Sequence, residues 1–101
     1  MNTEDALQFR INRSGIAELD LPCISSWDGF DYIVRFMREI YSAEIKDSLD
    51  GIDTRSVTII VKKNEFKLLH DDMFGSTIIA ENSSGNDLLK EIYQEMRLRL
   101  S

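Results

Sequence analysis

The chain has 101 residues, 12 Lys and Arg against 18 Asp and Glu, a formal net charge of −6, and one residue each of Cys, Pro and His. That length supports one domain with one core and no need of staples, and a lone cysteine excludes an internal disulfide. A net negative chain does not supply the field that releases counterions from phosphates, and no apolar run approaches the roughly 20 residues of a membrane span, so neither nucleic acid nor membrane is the expected partner.

Met1 to Ala6 is acidic and polar, where an export signal would be basic and then apolar. The cytoplasm is therefore the expected compartment, with Cys23 an inert small hydrophobe in a reducing environment. Leu7, Phe9 and Ile11 alternate with polar residues, the period of a half-buried strand. Ser14 and Gly15 mark a turn, and Ile16, Leu19 and Leu21 predict a second strand, which Pro22 ends because it lacks a backbone donor. From Phe30 the period changes. Phe30, Ile33, Val34, Met37, Ile40 and Tyr41 form one helical stripe, with Ser25 or Ser26 placed to cap it and Asp28 and Asp31 where the dipole favours negative charge. Ala43 to Leu49 leads to the turn signal Asp50-Gly51, and the β-branched run Ser56 to Val61 predicts an interior strand. Lys63-Asn64 reads as a tight turn. Phe66, Leu68 and His70 then share one strand face and Lys67 and Leu69 the other. Asp71 to Gly75 reads as a loop, Thr77 to Ala80 as the last strand, and Leu89, Ile92, Tyr93, Met96 and Leu100 as a closing amphipathic helix capped by Asn86 or Asp87.

Strand, strand, helix, a four-strand meander and a helix predict one α+β domain over residues 1–101. Its form is a two-layer sandwich, with five or six mainly antiparallel strands and two amphipathic helices on one face. Alternate turns of a meander fall at the same end, so the Asp50–Asp53 and Asp71–Asp72 runs are expected together. The charge is uneven in a way that matters here: residues 1–53 hold five basic and eleven acidic residues, whereas residues 54–101 hold seven of each. An acidic edge made of Asp47, Asp50, Asp53, Asp71 and Asp72, with Phe74 as an apolar contact among them, is the candidate partner-binding surface.

The chemical alternatives are poor. Cys23 and His70 are the only thiol and imidazole; Cys23 has neither a helix start nor a basic neighbour to activate it, and His70 keeps register with core residues. One Cys and one His far apart lack the spacing of a zinc site. Asp47 to Asp53 fails the calcium-loop spacing, with Leu49 at the third position and Thr58 at the twelfth. Five scattered glycines form no phosphate loop. Catalytic residues, metal, cofactor and small-molecule substrate are accordingly none. Trp27 precedes the helical stripe, and Tyr32 and Phe36 sit four apart on a separate helix face; together they could anchor a partner, although a broad half-buried face is the simpler reading.

The capped helix at Ser26-Trp27-Asp28-Gly29-Phe30, the turn Asp50-Gly51-Ile52-Asp53-Thr54-Arg55, the run Leu68-Leu69-His70-Asp71-Asp72-Met73-Phe74-Gly75 and the C-terminal amphipathic helix lie in this order in a small acidic chain. The arrangement resembles the immunity proteins of bacterial contact-dependent growth inhibition and related polymorphic toxin systems. The resemblance implies a non-enzymatic protein of the producing cell's cytoplasm that binds a cognate toxin domain and blocks its active site. A toxin that cuts RNA or DNA carries a basic cleft, which an acidic edge can occupy. A subunit or adaptor of a larger cytoplasmic assembly is the alternative, with Tyr32 and Phe36 at its interface.

Overall fold

A computed structural model describes residues 7–22, 24 and 26–100. Met1 to Ala6, Cys23 and Ser25 lie outside the described residues, and with them the expectations for the N-terminal segment, the cysteine and the alternative cap. Six strands form one antiparallel sheet: β1 (Gln8–Ile11), β2 (Ala17–Leu21), β3 (Glu44–Asp50), β4 (Thr54–Val61), β5 (Asn64–Asp71) and β6 (Gly75–Ala80), in the order β1-β2-β6-β5-β4-β3. Helix α1 (Trp27–Tyr41) crosses between the initial hairpin and the meander, and α2 (Asn86–Leu100) closes the chain after a short 3₁₀ turn at Ser83–Gly85. The expected two-layer α+β sandwich is the fold observed. No helix among the described residues is long and apolar enough to cross a membrane.

Period-2 alternation decides which side of the sheet is covered. Leu19, Ile78, Leu68 and Val57 lie in one register row, are all buried, and share a core with Phe30, Ile33 and Met37 of α1 and Leu89, Ile92 and Met96 of α2. Burying each such side chain is worth roughly 1.5–3 kcal/mol, so this face holds the sandwich together. The alternation fades at both edges. Ile11 in β1 is exposed, although Phe9 of the same strand stacks on Tyr93 of α2 at 5.7 Å, and all seven residues of β3 are exposed on both faces. β3 is protected in another way: its register shifts between Ile45 and Asp47, and Asp47 Oδ1 accepts the Ser48 backbone N–H at 2.8 Å. A bulge and a side chain bonded to the backbone blunt pairing with another chain.

Local chemistry departs from the sequence reading in a few places. The β4–β5 turn is Lys62-Lys63, one residue earlier than expected, with both lysines at positive φ (50° and 70°) and Asn64 already pairing with Val61. A two-residue hairpin needs that primed geometry to match strand twist, and the register imposes it even on lysines. Ser26 caps α1, its Oγ accepting the Gly29 N–H at 3.0 Å, and the helix begins three residues before the apolar stripe. The Asn86 side chain does not cap α2. It accepts from Ala17 N and donates to Gly15 O, both at 2.8 Å, tying the β1–β2 turn to the helix start. Gly75 opens β6 at φ 88°, two residues before the predicted strand start, and a Cβ there would lie 2.8 Å from Pro22 Cα.

Gly15 also has positive φ (77°), but open space surrounds it. Gly15→Ala is expected to cost about 1 kcal/mol of unfolding free energy from backbone strain alone, and Gly75→Ala roughly 3 kcal/mol or more, because strain and backbone collision add. Urea midpoints of the two variants check this; equal losses would show that the close approach of Gly75 to Pro22 carries no cost.

Candidate functional site

The β3–β4 turn (51–53) and the β5–β6 turn (72–74) emerge at the same end of the sheet and are joined where the Asp72 N–H donates to Asp53 O at 3.1 Å. Each turn is also closed internally. Gly51 N donates to Thr54 O at 2.8 Å, and Asp71 Oδ1 accepts the N–H groups of Met73 and Phe74 at 2.8 and 3.2 Å. Turns this short cannot fold their own side chains inward, so the apolar residues on them face water: Ile52 is 99% exposed, Met73 81%, Phe74 78%, and Leu49 at the end of β3 72%.

Beneath the turns lies the last register row of the covered face, Ser76–His70–Arg55–Asp50, running across four strands under the first turn of α1. These four members are polar and each is partnered, while the row's β2 member, Leu21, is apolar and buried. Arg55 pairs with Asp31 of α1 (2.5 Å) and Asp50 (3.1 Å), and its guanidinium lies over the rings of Trp27 (4.8 Å) and Phe30 (5.1 Å). Burial pulls the Arg55 pKa down, and the hydrogen bonds it donates to Asp31 and Asp50, with the charges of those carboxylates, more than offset this, leaving the group above its ordinary value. His70 is buried with its ring 5.6 Å from Phe30; Nε2 is 2.8 Å from Asp72 Oδ1 and Nδ1 3.1 Å from Ser76 Oγ, which in turn donates to Ile24 O at 2.7 Å. Trp27 Nε1 donates to the same Asp72 oxygen at 3.1 Å. Both ring nitrogens of His70 are thus committed to holding the β5–β6 turn against the segment before α1, the part of a bridging residue. Its place beside Phe66 and Leu68 on the buried face is the one the sequence predicted.

Of the predicted site residues, Asp50, Asp53, Asp71, Asp72 and Phe74 gather at this end; Asp47 does not. Paired with Thr58 on the uncovered face of the sheet, Asp47 belongs to the β3 edge. Asp50 and Asp72 hold the cluster together as well as charging it, and Asp71 forms its turn. Among the described residues the Asp53 carboxylate has no hydrogen-bond partner. Counting Asp31, five carboxylates lie at this end against the one guanidinium of Arg55, which pairs with two of them, so the end is formally acidic. The sequence reading missed Leu49, Ile52 and Met73 as surface apolars, although an isoleucine and a methionine inside acidic turns were a visible sign. It also missed Arg55 and its meeting with Trp27 and Asp31, which depends on how α1 lies on the sheet. Of the aromatic trio, Phe36 is buried and leaves the interface reading, whereas Tyr32 is exposed. No group of three or more His, Cys, Asp and Glu among the described residues is arranged to hold a metal ion.

No family model, curated protein or solved structure matches the chain, so geometry alone guides the functional reading.

Lysine cannot reproduce a planar fork that pairs with two carboxylates while stacking on two rings. Arg55→Lys is expected to lower stability by about 1 kcal/mol and Arg55→Met by about 1–2 kcal/mol, modest because both aspartates are about half exposed. Both variants should shift the fluorescence of Trp27, the sole tryptophan. Unchanged urea midpoints and unchanged emission would show that Arg55 does not organise this end.

Proposed function

We propose that this protein is an immunity-type inhibitor. It binds a cognate protein toxin domain in the cytoplasm of the cell that makes both, turns nothing over itself, and covers a basic cleft with its acidic, apolar end. The observation that carries this reading is the group Leu49, Ile52, Met73 and Phe74, held in water on two cross-tied turns amid aspartates. Large apolar side chains contribute nothing to the fold when fully exposed, and a cluster of them marks a surface that another molecule completes. An apolar centre within a charged rim is also the anatomy of tight protein interfaces: the centre supplies affinity, and the rim steers encounter and rejects wrong partners. A basic nuclease domain fits both parts, because its phosphate-binding cleft needs negative charge to fill it.

The tagged chain, purified from its native lysate, is expected to bring down a protein with a basic domain and to stop that domain's activity at equimolar ratio. Replacing Ile52, Met73 and Phe74 together by Ser should weaken the complex at least a hundredfold, the loss of roughly 3 kcal/mol or more expected of central contacts. The double variant Asp53→Asn, Asp71→Asn should instead slow association severalfold and flatten its salt dependence, since the amide oxygen introduced by Asp71→Asn retains the acceptor that closes the turn. Neither set should move the unfolding midpoint by more than about 0.5 kcal/mol. Undiminished affinity in the triple variant would place the binding surface elsewhere.

A further inference from the structure

On the uncovered face, one register row inward from the turns, runs Leu49–Ser56–Leu69–Thr77, one residue from each of β3, β4, β5 and β6. Its side chains are large, small, large and small. Thr54, Asp71 and Gly75 form the neighbouring row toward the turns. Ser56 therefore leaves a depression between Leu49 and Leu69, with Thr77 on the far side of Leu69, and a concavity of about 570 Å³ opens there with Asp71 on its lining. The charged residues lining it are Asp50, Asp71 and Arg55, and Arg55 is committed to the opposite face by its stack on Trp27 and Phe30. What remains is an apolar trough with the Asp71 carboxylate at its turn end, Asp50 being paired with Arg55 on the covered face.

Resting on the inhibitor reading above, we infer that this trough receives a cationic side chain, arginine or lysine, from the toxin domain. Its aliphatic stem would lie between Leu49 and Leu69 and its charged head would reach the Asp71 carboxylate. Long basic side chains divide in this way between apolar and charged surroundings. The volume would also suit a small molecule, but a ligand site buries most of its ligand. A depression in one uncovered sheet face has a floor and no roof, and a protein partner brings the roof with it. Leu49 belongs to both the trough and the exposed apolar group, so one partner surface can cover the two together.

The test uses the full isotope-labelled chain and three blocked tetrapeptides: acetyl-Leu-Arg-Leu-Arg-amide, its citrulline counterpart, which is nearly isosteric but neutral, and its glutamate counterpart. The arginine peptide is expected to shift the amide resonances of Leu49, Ser56, Leu69 and Thr77 saturably. Asp71→Asn should weaken it roughly three- to tenfold, and Ser56→Tyr, which fills the trough on a solvated face where tyrosine suits a strand, should abolish it. Equal binding of the citrulline peptide, or of the glutamate peptide, would overturn the cationic occupant. Absence of shifts in this row at millimolar peptide, or shifts confined to residues 51–53 and 72–74, would overturn the trough as a subsite. Either result leaves the inhibitor reading to stand or fall separately on the captured partner and its loss in the Ile52, Met73, Phe74 variant.

Discussion

A single guanidinium holds together the end of the molecule that carries the acidic turns. Arg55 sits in the last row of the covered face, where the apolar core gives way to solvent, and joins α1 through Asp31, β3 through Asp50, and the rings of Trp27 and Phe30. Trp27 passes the connection to Asp72, and Asp72 passes it to His70. The helix start, the edge strand and the β5–β6 turn are thereby fixed relative to one another by charge-assisted contacts instead of hydrophobic burial. Such contacts are directional, and direction is what two short turns need if their side chains are to be offered in a set geometry. A rigid surface loses less entropy when it binds, which raises affinity without any additional contact.

The same aspartates serve two purposes. Asp50 pairs with Arg55, and Asp72 accepts from Trp27 and meets His70, while about half of each aspartate side chain stays in water. Asp71 closes its turn with one oxygen and lies along the trough. Among the described residues of this cluster, the Asp53 carboxylate alone has no hydrogen-bond partner, although its backbone oxygen accepts the Asp72 N–H. The electrostatic surface is thus built from turn chemistry and ion pairing that the fold requires in any case, so charge and scaffold cannot be altered independently at every position. Asp47 shows the contrary case: placed on the β3 edge, its carboxylate caps a backbone donor that an invading strand would otherwise use.

Much of this was legible in the sequence. Helical and strand periodicities over Phe30–Tyr41, Val57–Val61 and Phe66–His70 located the elements, and meander geometry alone brings the Asp50–Asp53 and Asp71–Asp72 runs to one end. What was not legible is the set of contacts between elements distant in sequence: Arg55 with Asp31, Trp27 with Asp72, and Asn86 with the Gly15 turn. These depend on the rotation and height of each helix on the sheet, which neither propensity nor period specifies. The hairpin at Lys62-Lys63 belongs to the same class, since strand register overrode the residues' own preference against positive φ. The two-sided exposure of β3 was hidden as well, because a strand's pattern carries no information about where the covering helices end.

A small domain that keeps Leu49, Ile52, Met73 and Phe74 in water at one end bears the hazard of nonspecific association there, and a bound partner removes it. The most direct measurement is amide hydrogen exchange of the chain alone and in complex with the partner it captures. Strong added protection across residues 49–53 and 71–74, with the outer faces of α1 and α2 unchanged, is the predicted result. Protection concentrated on the helices, with those two turns exchanging as fast as in the free chain, would contradict it.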